Sequence, residues 1–145
     1  MSGAPFLYFD RSLGKCLPEA LRILRLPNVI HHHSPPECVG VDRVTGQSGL
    51  FAQDAPDDEW LEFVSRRRWI AFSQDYSMHL EPAPLAAIKQ HDARLFYLWG
   101  SQAKRWEKMR SFARAYDAIL AEAASTSGPF VRRVSRLGKL ETVEI

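Results

Sequence analysis

The first strand-like run, together with the helix and strand after it, constrains this chain most. "PFLYFD" (residues 5–10) is a short aromatic-rich apolar run that ends in a charge, the pattern of a buried strand. "SLGKCLPEALRIL" comes next, with Leu13, Leu17, Leu21 and Leu24 at helical spacing and Ser12 placed to cap the start. Pro18 lies close enough to that start for its missing N–H to cost little. "NVIHH" then reads as a second strand. Strand, helix, strand in this order is the unit that builds a parallel sheet with crossover helices.

The rest of the chain extends this pattern. "PDDEWLEFVSRRR" is a helix with acids in its first turn and bases in its last, matched to the helix dipole at both ends. "WIAFSQD" (69–75) is a third strand, again closed by an acid. "APLAAIKQHD" is a helix and "RLFYLWG" (94–100) a fourth strand. "SQAKRWEKMRSFARAYDAILAEAA" is the longest helix, with Trp106, Met109, Ala113, Tyr116 and Leu120 expected on its buried face. "FVRRVSRLGKLETVEI" divides at "RLGK" into two short strands, a C-terminal hairpin within residues 128–145. Residues 34–56 carry Pro, Gly, Ser and Asp throughout. They are expected to form a long loop or insertion, with a short strand inside "CVGVDRV" and a flap-like excursion. The whole reads as one α/β domain.

Composition narrows the setting. The chain has 145 residues, enough for one core, and no apolar run approaches the ~20 residues of a membrane span. Two cysteines, Cys16 and Cys38, make no disulfide framework. "MSGAPFLYF" lacks the basic and long apolar regions of a secretory signal, so a cytoplasmic protein is expected. Residues 99–145 hold nine Lys/Arg against five Asp/Glu, and residues 1–98 ten against twelve. An acidic patch beside a basic surface suits a metal-dependent enzyme acting on a polyanion.

The acids fall where such a site belongs. In open parallel sheets ligands bind at the C-terminal ends of strands, near the point where strand order reverses. Asp10 closes strand 1 and Asp75 closes strand 3, while Asp57, Asp58 and Glu59 open the helix that reaches the same edge. Converging carboxylates repel unless a cation neutralises them, and hard oxygen ligands favour Mg²⁺ or Mn²⁺. Three further groups share this edge. Arg11 and Lys15 come after Asp10, Lys104, Arg105 and Lys108 after strand 4, and Tyr76 after Asp75.

The run "HHHSPPEC" raises a second chemistry. His31 and His33 share one face of a strand, and with Cys38 they give three candidate zinc ligands. No His-x-x-x-His or Cys-x-x-Cys spacing accompanies them. One of His31, His32 or His33 is instead expected to line the acidic site. A response-regulator-like phosphoacceptor is disfavoured, because it normally carries paired acids after strand 1.

"FLYFDRSLGKCLPEAL", "APDDEWL" and "WIAFSQDYSMHLEPAPLAAI" together resemble the PIN-like domain family, and within it VapC-type toxins of bacterial toxin–antitoxin systems. The resemblance runs over roughly residues 5–100. It implies a three-layer α/β/α fold around a mainly parallel sheet, and Mg²⁺- or Mn²⁺-dependent endoribonuclease activity. It assigns the metal-binding, catalytic acids to Asp10, Asp57 and Asp75, with Asp58 as an alternative ligand. Ser73 and Glu59 take supporting places. Ser77 and His79 stand where many members carry a fourth acid, which leaves a non-catalytic RNA- or protein-binding domain as the alternative. The resemblance also implies a small antitoxin partner and an RNA substrate, with Arg11, Lys15, Lys104, Arg105 and Lys108 as candidates for its phosphates and Tyr76 for a base. PIN-like proteins often pair as homodimers, and nothing in the residues fixes an interface.

Overall fold

The computed structural model describes residues 4–41, 49–99 and 103–145. The strands are β1 (Leu7–Phe9), β2 (Val29–His31), β3 (Ile70–Ser73), β4 (Arg94–Tyr97), β5 (Phe130–Val134) and β6 (Leu140–Val143). The α-helices are α1 (Cys16–Ile23), α2 (Asp57–Arg66), α3 (Pro82–Gln90) and α4 (Arg105–Ser125), with short 3-10 turns at Arg11–Leu13, Pro36–Val39 and Met78–Leu80. No helix among the described residues is long and apolar enough to cross a membrane.

The strands form one sheet in the order β2-β1-β3-β4-β5-β6. Pairing is parallel from β2 through β5, and β6 runs antiparallel to β5, from Val131↔Val143 to Val134↔Leu140. β1 sits between β2 and β3, so the chain leaves β1 first to one side and then to the other. The reversal of strand order therefore falls at β1, with Phe9 opposite Phe72.

Successive side chains on a strand point to opposite faces, and here both faces are apolar. Leu7, Phe9, Ile70, Phe72 and Phe96 pack with Leu13, Leu17 and Leu21 and with Phe112, Ala115, Ile119 and Ala123 of α4. Tyr8, Ala71, Leu95, Tyr97 and Val131 pack with Trp60, Leu61 and Val64 of α2 and Ala87 and Ile88 of α3. Phe9 stacks on Phe72 at 4.8 Å between ring centroids, and Phe72 lies 5.7 Å from Phe96, so the aromatic rings tie three strands together. Removing one such fully buried ring costs roughly 3–5 kcal/mol.

The fold departs from the sequence expectations at four places. Ser12 lies in a 3-10 turn and does not cap α1, whose N-cap is Lys15 without a side-chain bond. Leu24 is 70% exposed, because α1 ends at Ile23 and Arg25 turns the chain at a positive φ. On α4 the buried stripe is Phe112, Ala115, Ile119 and Ala123, so Trp106 is 69% exposed and Ala113 faces solvent. Met109, Tyr116 and Leu120 only edge the core.

Within residues 34–56, Cys38 and Val39 form a 3-10 turn where a strand was expected, and Leu50, Phe51 and Ala55 are buried in the α2/α3 core. Apolar anchoring thus holds this end of the segment against the domain. The part of the strand expectation on residues 42–48 lies outside the described residues, as do residues 101 and 102 of the expected long helix.

Candidate active site

Asp10 comes directly after β1 and stays in the sheet's register, its backbone N–H donating to Phe72 O at 3.0 Å. Its side chain is 2% exposed. A carboxylate so buried must collect hydrogen bonds, and it does. Oδ2 accepts from the Ser73 hydroxyl at 2.7 Å. Oδ1 accepts from the Ser12 backbone N–H at 2.9 Å and from the Ser12 hydroxyl. Burial nonetheless pushes the Asp10 carboxyl up to about 6, against the pull of these bonds, and the charge of Asp57 adds to the rise.

Two serine hydroxyls act in parallel here. Ser12 Oγ donates to Asp10 and accepts the Gln74 N–H at 2.9 Å, while Ser73 Oγ donates to Asp10 and accepts the Asp75 N–H at 3.1 Å. Asp10 is thereby joined to the loop that carries Asp75. Asp75 is half-buried, and its Oδ1 accepts from the Ser77 N–H at 3.1 Å and the Ser77 hydroxyl at 2.8 Å. Asp10 and Asp75 both push the Tyr97 phenol up, after burial, to about 12.

Asp57, at the first turn of α2, is half-buried and accepts from Trp60 Nε1 at 2.9 Å. Its charge reaches Asp10, Tyr8 and His32. Asp58 is half-buried and Glu59 exposed.

The acids form no preformed cage. No group of three or more His, Cys, Asp or Glu among the described residues is gathered to hold a metal ion. Mg²⁺ does not require one, since it keeps several waters and is commonly bound by one or two carboxylates plus substrate phosphate. Asp10 and Asp75 supply hard oxygens, and the raised pKa of Asp10 marks a buried negative charge that a cation would relieve. On these grounds the residues fit Mg²⁺ or Mn²⁺.

The cations lie around this edge at different distances. Arg11 donates from Nη1 to Gln53 O at 2.7 Å, joining the acid site to the segment after residue 48. Lys108 donates from Nζ to the Gln74 side-chain carbonyl at 3.2 Å, between Ser73 and Asp75. Lys15, Lys104 and Arg105 are exposed, and the Lys104 N–H is taken by Glu107 Oε1 at 3.0 Å. Tyr76 is built into the scaffold: its hydroxyl donates to Leu98 O at 2.5 Å and its ring packs 5.6 Å from that of Tyr97.

His31 and His32 are buried and hydrogen-bonded within the fold, while His33 is exposed. His32 is 1% exposed, with Nδ1 3.4 Å from the Tyr8 hydroxyl and Nε2 3.0 Å from Ala52 O. His31 Nδ1 accepts the His33 N–H at 3.1 Å. Burial holds both His31 and His32 below the ordinary histidine range, which favours their neutral forms. The ring nitrogens of His32 contact Tyr8 and Ala52, and the candidate zinc set of His31, His33 and Cys38 does not gather among the described residues. His32 feels the charges of Asp57 and Arg11, and its backbone N–H donates to Phe9 O at 3.3 Å, next to Asp10.

Sequence reasoning placed Asp10, Ser73 and Asp75 together but gave Ser12 the wrong partner. Its signal was present in the "DRS" at the end of β1, a side-chain oxygen two residues from an acid.

A model of the PIN-like domain matches residues 5–100, a span that contains every acid of this site. No curated protein and no solved structure matches the chain. With its mostly parallel sheet, four α-helices among the described residues and a family match over most of its length, the chain belongs to the PIN-like domain family, in general a nuclease fold.

Proposed function

We propose that this chain is a divalent-metal-dependent endoribonuclease that hydrolyses RNA phosphodiesters at the Asp10 edge, and that it is the toxin of a toxin–antitoxin pair. The observation that carries the reading is the shared hydroxyl of Ser73, which ties the buried Asp10 carboxylate to the Asp75 backbone at the C-terminal ends of β1 and β3. In the same reading the two cores are the outer contacts of a three-layer α/β/α sandwich, and β5 and β6 form its closing hairpin.

Mg²⁺ or Mn²⁺, when bound, would supply an acidified water and charge stabilisation at the scissile phosphate. Asp10 and Asp75 would hold the ion, with Asp57 adding negative charge from α2. Ser73 and Ser12 fix the Asp10 oxygens, so no reorganisation is needed when substrate arrives. Lys108, Arg11 and Lys15 offer positive charge to the flanking phosphates. A small antitoxin protein is the proposed partner and the cytoplasm the proposed location. Expression of the chain alone, and with the product of a small adjacent gene, tests the toxin role: growth arrest relieved by the second protein is expected.

One observation favours a second reading, a non-catalytic PIN-like domain that binds RNA or protein. Ser77 stands near where a fourth acid would be, and it ties up Asp75 Oδ1. Titration with Mn²⁺ separates the two, since failure to bind at millimolar concentration supports the second.

A further inference from the structure

Beside the acids, α1 and the first turns of α4 leave an open groove of about 620 Å³. Its apolar lining includes Leu17, Met109, Ile23, Leu24 and Trp106. The last three are large apolar side chains exposed to 78%, 70% and 69%. Every charged residue that lines the groove is a cation: Lys15, Arg105 and Lys108.

Two features relate the groove to the acidic site. The 3-10 turn after Asp10 ends at Leu13, which lines the groove with Gly14 and Lys15. Lys108 reaches across to Gln74, between Ser73 and Asp75.

We propose that this groove is a subsite for single-stranded RNA next to the scissile phosphate, with Trp106 as the platform on which a base stacks. The proposal rests on the nuclease reading above for what lies at the acids. Lys15, Arg105 and Lys108 take the phosphates on either side. Flat aromatic surface rimmed by cations is the general solution for holding single strands, because every base has a π-face and every linkage a negative charge. A duplex keeps its bases stacked on one another and does not present them to an indole. A lining whose charged members are all cations, with an exposed indole among them, matches a polyanion with bases between its charges.

Binding of a short fluorescent single-stranded RNA, measured by anisotropy in EDTA so that no cleavage occurs, tests this. Trp106→Ala is expected to weaken binding roughly 10- to 100-fold, and Trp106→Phe to recover most of the loss. Because the side chain is exposed, the melting temperature stays at the wild-type value in both. An abasic strand of equal length is expected to bind weakly and without dependence on residue 106. Equal affinity of wild type and Trp106→Ala for the base-bearing strand would overturn the subsite, as would an equal effect of the substitution on the abasic strand. So would tighter binding of an oligoglutamate peptide than of RNA. A chain that binds RNA through Trp106 but never cleaves it would refute the nuclease reading and leave the groove assignment standing.

Discussion

Ser73 and Asp10 lie 63 residues apart in the chain, yet the Ser73 hydroxyl donates to Asp10 Oδ2 at 2.7 Å. The same hydroxyl oxygen receives the Asp75 N–H at 3.1 Å. The parallel pairing of β1 with β3 brings this about, and it makes Ser73 the joint between the two acids.

Ser73→Ala removes a donor from a buried carboxylate and leaves the Asp75 N–H without its acceptor. A loss of about 1–3 kcal/mol in stability is expected at neutral pH, measured by denaturant melting. The hydrogen bond favours ionised Asp10, so its loss should move the Asp10 carboxyl further up, visible in an NMR titration of that group. Ser73→Thr keeps the hydroxyl and should restore both values.

The raised Asp10 pKa fixes the sign of a pH dependence. In the unfolded chain the carboxyl titrates near 3.8 and in the fold at about 6. The folded state therefore binds the proton more tightly. The contribution of this group to stability is full below ~3.8 and declines as pH rises through 6, by about 3 kcal/mol in all. In metal-free buffer Asp10→Asn should then melt at or above the wild-type temperature at pH 7, with the advantage gone near pH 4. A large loss of stability at pH 7 would contradict this.

Divalent metal should act on the same charge. Millimolar Mn²⁺ is expected to raise the melting temperature at pH 7, where Asp10 is ionised, and much less at pH 5, where a proton competes for it. Saturation at about 100 times Kd corresponds to roughly 2.7 kcal/mol. The effect should vanish in Asp10→Asn and persist in His31→Ala, because His31 Nδ1 is occupied by a backbone N–H.

The segment after residue 48 is part of the core. Phe51 is 6% exposed and packs edge-on to Tyr8 at 5.7 Å. Phe51→Ala should cost roughly 3–5 kcal/mol. Gly49 passes so close to the histidines that a Cβ there would sit 2.9 Å from His32 O and 3.0 Å from His33 Cα, both backbone atoms. Gly49→Ala should therefore destabilise by about 1–3 kcal/mol, checked by thermal melting.

Local patterns account for the part of the fold that was legible in the sequence. Strand ends at Asp10 and Asp75 could be placed because each is the first charge after a buried apolar run. The crossover pattern then put them on one edge. The phase of α4 could not be fixed in this way. Trp106, Met109, Tyr116 and Leu120 form an apolar stripe only about one residue step from Phe112, Ile119 and Ala123, and the many alanines fit either. Packing against Phe9 and Phe72 decides between them, which is a tertiary matter. Ser12 was read as a helix cap for the same reason. Its partners Asp10 and Gln74 meet only once β1 and β3 pair. Leu50 and Phe51 were hidden by the Pro, Gly and Ser around them, although two adjacent large apolar residues inside a polar loop are the sign of an anchor.

In the proposed function Asp10 serves RNA hydrolysis with a divalent ion. Cleavage of a labelled single-stranded RNA by wild type and Asp10→Asn, each with Mn²⁺ and with EDTA, tests it most directly. Wild type is expected to cleave with Mn²⁺ alone, and an Asp10→Asn protein that keeps its fold to lose at least about 100-fold. Undiminished cleavage by Asp10→Asn, or no cleavage by folded wild type with Mn²⁺ bound, would contradict it.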